Sequence, residues 1–180
     1  MKNNNHQSHY LLHSYCLHPN IHFETQGKNE KVILVLRAHP FTQLFWVFNT
    51  LVLVILLIVS NFLLPSFLNI RQLIFINVFG LIFALSYVWF NFLSWFFNVG
   101  IITTERVIDI DFSSVIYKEV TAAKLDRIED ITSKAGGYFE SFFDYGDVFV
   151  QTAGTEANIE FLNVPKPSQV VETINGLLEK

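Results

Sequence analysis

One hundred and eighty residues leave room for one modest domain and little beyond it, and 51% of them are hydrophobic. Charge is uneven within a net −4: residues 1–72 carry five basic and two acidic side chains, residues 98–180 seven basic and fourteen acidic. So acidic a C-terminal part repels phosphate, which sets nucleic acid aside as a partner, and the single cysteine, Cys16, rules out an internal disulfide framework.

Residues 1–43 read as a partly disordered N-terminal segment. No apolar stretch of signal-peptide length precedes Leu44, so the sequence predicts no secretory signal. No long hydrophobic run precedes Cys16, and Tyr15 stands where a lipidation site needs a small residue. His6, His9, His13, His18 and His22 with Cys16 are good ligand types, but their spacing matches no zinc pattern in a stretch rich in Asn, Gln and Ser. A solvated tail is the preferred reading, and no metal or cofactor is assigned. Lys31 to Arg37 resembles a short strand that Pro40 ends.

Residues 44–97 change solvent. Leu44–Leu64 is twenty-one residues without a charge, and Leu73–Phe97 is equally uncharged. A helix rises ~1.5 Å per residue, so about twenty residues cross a ~30 Å hydrocarbon core. The eight residues from Pro65 to Gln72 allow only a turn. The sequence therefore predicts a transmembrane α-hairpin in the lipid bilayer, multi-pass in the plasma or inner cell membrane. Lys28, Lys31 and Arg37 precede it and Arg106 follows, against Arg71 alone in the loop, which predicts both termini in the cytoplasm. Trp46 and Trp95 fall near the predicted boundary. Asn49, Asn61, Asn77 and Asn91 are candidate intramembrane contacts. With no ionisable neighbour they read as interhelical hydrogen-bonding groups, within the hairpin or between protomers, rather than a path for substrate or ions.

Residues 98–180 read as α+β. Ile108, Ile110 and Phe112 alternate with Asp109 and Asp111, as on a half-buried strand. Ser113-Ser114 supplies a turn and Val115 to Thr121 the return. Further strands are expected at Ile128–Lys134, Asp147–Thr152 and Asn158–Leu162, with turns at Gly136-Gly137 and Gly154-Thr155. After Pro165 and Pro167, Ser168 is placed to cap a helix whose apolar stripe is Val170, Val171, Ile174, Leu177 and Leu178.

Five stretches carry a likeness in the right order: Ile102-Thr103-Thr104-Glu105-Arg106-Val107-Ile108, Leu125-Asp126-Arg127-Ile128-Glu129-Asp130-Ile131, Phe143-Asp144-Tyr145-Gly146-Asp147-Val148, Thr152-Ala153-Gly154 and Val164-Pro165-Lys166-Pro167. With His39-Pro40 ahead of the first span, the chain resembles the bacterial pleckstrin-homology-like family of small membrane proteins, the YdbS-like group with its bacterial PH domain. That resemblance implies a membrane hairpin followed, over 98–180, by an antiparallel β-barrel or sandwich capped by a C-terminal helix. It brings no catalytic residues. Eukaryotic relatives of the fold that bind phosphoinositides use a basic cradle. The matching hairpin here holds Asp109, Asp111, Lys118 and Glu119, which argues against headgroup binding of that kind.

Nothing in residues 98–180 assembles an active site. Asp109 and Asp111 do not continue into a calcium loop, because Ser114 replaces its glycine and Val120 its glutamate. Asp126, Glu129 and Asp130 lack an orienting histidine and read as a solvated rim. The segment holds no histidine and no cysteine, and its glycine pair lacks the lysine of a phosphate loop. No enzyme is predicted. Tyr138, Phe139, Phe142, Phe143 and Tyr145 divide between core filling and a candidate interaction surface. The expected role is a membrane-anchored, non-enzymatic module for protein–protein contact or assembly at the cytoplasmic face. The partner is unidentified, and a homo-oligomer is one form it could take. The alternative is an accessory subunit of a transport or secretion complex whose asparagine-bearing helices line or brace a path.

Overall fold

The computed structural model describes residues 13–112, 118–153 and 158–179. The chain divides into two compact units, Met1–Phe41 with Trp95–Lys180, and Thr42–Ser94.

The first unit is built of strands. A five-stranded antiparallel sheet runs in the order β1 (Tyr15–Leu17), β2 (Val32–Leu36), β3 (Val99–Thr103), β4 (Arg106–Phe112), β5 (Lys118–Lys124). A three-stranded antiparallel sheet follows, β6 (Ile128–Lys134), β7 (Tyr145–Thr152), β8 (Ile159–Pro165). Between β6 and β7 lies a short helix, α3 (Tyr138–Phe143), and the chain closes with α4 (Pro167–Leu178). Of the barrel or sandwich expected, a closed barrel is not what forms: the two sheets are open. The chain leaves β5 through a tight turn at Leu125–Arg127 and starts a separate ladder. The sheets meet through side chains instead. Leu34, Leu36, Ile102, Val107 and Ala123 from one pack with Val148, Val150, Ile159, Phe161 and Val164 from the other, under Val170 and Ile174 of α4.

This folded unit is larger than a domain beginning at residue 98. The N-terminal segment contributes β1 and β2, and Leu34 and Leu36 are completely buried. A second apolar cluster, Cys16, Val32, Val35, Ile101 and Ile108 with Ile21 and Phe23 against it, covers the opposite face of the larger sheet. A bulge between Val32 and Leu34 explains how one strand serves both clusters, since one extra residue flips the side chains beyond it to the other face. The same geometry corrects the reading of β4. Ile108 joins the second cluster, while Val107 enters the main core and Asp109 shares its face. Helix α4 begins one residue before Ser168, with Lys166 at its N-cap and no side-chain cap. The turns expected at Ser113-Ser114 and Gly154-Thr155, and His6 and His9, lie outside the described residues.

The second unit is a pair of helices. α1 spans Leu44–Leu63, a turn follows at Leu64–Ser66, and α2 spans Ile70–Phe97, its last three residues belonging to the strand unit. α2 starts three residues earlier than its uncharged run because Asn69 and Gln72 form a cap, the Gln72 side chain accepting from the Asn69 N–H at 2.9 Å. Both helices are long and apolar enough to cross a membrane. No residue of α1 is buried, and α2 buries only Ala84.

Candidate functional site

α3 displays most of the aromatic cluster singled out in the sequence. Gly137, with φ 125°, begins it, and Asp144, left-handed at φ 52°, ends it. In a six-residue helix, positions four apart share a face. Phe139 and Phe143 therefore turn together toward Phe41, with ring centroids at 5.9 and 4.1 Å. Tyr138 and Phe142 turn away and are 96% and 81% exposed, and Phe139 remains 67% exposed. Tyr145 is not part of that surface. It is buried in β7, stacked on the His39 imidazole at 5.2 Å. Phe41 was not singled out from sequence, although it directly follows His39-Pro40.

The stretches that carried the family likeness prove to be the clasps of this unit. The His39 N–H donates to the Asn163 carbonyl at 2.7 Å, and its Nδ1 accepts from the Phe41 N–H at 3.2 Å. Burial lowers the His39 pKa against an opposing pull from Asp144, which suits that acceptor role. Lys166 N–H donates to the Asp144 carbonyl at 2.8 Å, and Asn163 N–H to Asp147 Oδ1 at 2.7 Å. A Cβ on Gly146 would lie 2.5 Å from the Lys134 carbonyl oxygen, so only glycine allows that approach. At the β3–β4 turn, Thr103 Oγ1 accepts from the Arg106 N–H at 2.9 Å and donates to Glu30 Oε1 at 2.7 Å. Glu30 is buried and receives the Arg106 guanidinium on both oxygens, at 2.9 and 3.1 Å, and the Gly27 N–H at 2.8 Å. This buckle fastens the N-terminal loop over the sheet.

Little here is arranged for catalysis. Asp126, Glu129 and Asp130 are all exposed. The unit does take in Cys16 and His39, which lie outside residues 98–180, but Cys16 is buried and desolvation raises its thiol pKa, the reverse of an activated nucleophile. Asp109 is the most perturbed acid. Burial, the Asp111 charge, a hydrogen bond with Asp111 and the charge of Glu119 push it up to about 7. Among the described residues no group of three or more His, Cys, Asp or Glu is placed to hold a metal.

In the helical unit the four asparagines are engaged locally. Asn61 and Asn77 exchange amide hydrogen bonds, each 2.8 Å. Each also donates to its own helix, Asn61 to the Leu57 carbonyl and Asn77 to the Leu73 carbonyl, so both protons of each amide are committed. Asn49 faces the Tyr87 hydroxyl at 3.5 Å, and Asn91 donates to the Tyr87 carbonyl at 2.8 Å. Gly80 leaves room for Leu57, which a Cβ there would strike. Contacts rising along α1 thus meet residues descending α2, an antiparallel pair.

Residues 33–178 match the family described as bacterial PH domain, which bears out the resemblance drawn from the sequence. No curated protein and no solved structure matches the chain.

Proposed function

This chain belongs to the bacterial PH domain family, and from that premise we propose a membrane-anchored, non-enzymatic module that makes protein contacts at the cytoplasmic face of the cell membrane. One observation carries the anchoring: among the described residues α1 buries none of its side chains and α2 only Ala84, which leaves an apolar surface along both helices. Phe62 and Phe79 are 80% and 63% exposed, within helices whose side chains are apolar almost all round. Water penalises such a surface along two adjacent helices, and hydrocarbon accepts it.

Binding rather than catalysis is supported by the family and by the structural work its shared residues do. β5 and β6 end their respective sheets and expose most of their side chains. They carry Lys118, Glu119 and Lys124, and Glu129, Asp130 and Lys134. Mixed charge on sheet edges blocks indiscriminate strand addition and selects a partner of matching charge. Because both signs are present, a second copy of this chain is the first partner to test. Asp111 and Glu119, beside Lys118 on the β4–β5 pair, disfavour a phosphoinositide headgroup. The competing role, helices that line a path in a transport complex, finds less support, because Asn61 and Asn77 spend their amide protons on each other and on their own backbones.

The test is to purify the full chain from its membrane in mild detergent. A stoichiometric partner, a second copy or another protein, is expected to co-elute, and the charge reversals Lys118→Glu and Lys134→Glu are expected to weaken that association. A monomer eluting alone, or a complex indifferent to both reversals, would overturn the assigned surface.

A further inference from the structure

We infer that α3 is a lipid-contacting element, with Tyr138, Phe139 and Phe142 seated in the headgroup and upper acyl layer of the bilayer. The inference rests on the anchoring reading above and adds a second, peripheral contact to it. Three observations converge on lipid as the occupant.

The first is chemical. Aromatic rings with little aliphatic company are the side chains that settle at a membrane–water boundary, and α3 offers Tyr138, Phe139 and Phe142 with large exposure on a short projecting helix. The second is continuity along the chain. Phe143 and Phe139 pack on Phe41, and Phe41 stands three residues before Leu44, the first residue of α1. Covalent geometry alone keeps it within about 11 Å of that residue. The returning chain is tied to the same segment: Trp95 Nε1 donates to the Ala38 carbonyl at 2.9 Å, and the Arg37 guanidinium lies 4.8 Å over the Phe96 ring. α3 therefore packs on the stretch through which the chain enters its apolar run.

The third is electrostatic. Glu140 and Asp144 are the only charged residues between Gly136 and Tyr145, and Glu140 folds back onto the Gly136 N–H. No basic group on α3 offers a grip on anionic headgroups, so contact should proceed by apolar insertion and ignore salt.

Single-cysteine versions of the full chain, with Cys16→Ala, carry an environment-sensitive fluorophore at Phe142→Cys or Tyr138→Cys and are reconstituted in phosphatidylcholine vesicles. A label at Ile55→Cys, midway along α1, reports the anchoring separately. The α3 labels are expected to shift to the blue. They should lose most of their intensity to lipids bearing a shallow nitroxide, little to a deep nitroxide, and little to aqueous iodide. Quenching by iodide would return α3 to water, and quenching by neither would place a protein over it; either result overturns the inference. If the Ile55 label is quenched by the deep nitroxide while both α3 labels escape lipid, α3 alone is misassigned. If the Ile55 label escapes as well, the anchoring itself fails.

Discussion

Glu30 and Asp109 are carboxyl groups of one small unit, and acid acts on them in opposite directions. At Glu30 burial favours the neutral acid, but the hydrogen bonds from Arg106, Gly27 and Thr103 outweigh it and hold the pKa below the usual range. Its stabilising contribution is present above the unfolded value near 4.3 and is lost as pH falls through the folded value. Asp109 runs the other way, with a folded pKa of about 7 above an unfolded value near 3.9. The stability gained by its neutral form is complete below that unfolded value and disappears as pH rises toward the folded one. Asp109→Asn should therefore leave unfolding near pH 4 almost unchanged and raise the thermal midpoint at pH 8, followed by circular dichroism in micelles. An equal effect at both pH values would contradict this. The alternation around Asp109 marked a strand correctly but not which face water reaches. β4 is covered on both sides, and the second cover is a loop from residues far earlier in the chain.

Elements were legible where local pattern decides them. β6 has the expected bounds, the apolar stripe of α4 appears at helical spacing, and β7 and β8 contain the alternating residues foreseen for them. α3 escaped notice because six residues are too few for periodicity to register and four of them are aromatic. β1 is three residues long and gains its meaning only by pairing Tyr15 with Leu36 and Leu17 with Leu34. In the helical unit, the reciprocal Asn61–Asn77 exchange is the shorter of the polar contacts between α1 and α2, beside Asn49 and the Tyr87 hydroxyl at 3.5 Å. Interhelical hydrogen bonds in lipid are worth about 0.6 kcal/mol on average and reach about 1.7. A double-mutant cycle of Asn61→Leu and Asn77→Leu, read by reversible unfolding in bilayer mimics, should return a coupling of that size. Strictly additive effects would show that the two amides act apart.

At the scale of the molecule, composition alone separated an apolar middle from a polar remainder. It could not reveal that the polar segments on either side of the middle fold together. β2 pairs with β3 across more than sixty residues, and no local signal records such a partner. The family match spans both kinds of segment. The claim that orders everything else is that lipid hosts α1 and α2. Membranes from cells making the full chain can be stripped with alkaline carbonate and then with detergent. The protein should stay in the carbonate pellet and leave it only with detergent. Its release by carbonate into a monodisperse, amphiphile-free supernatant would contradict the account.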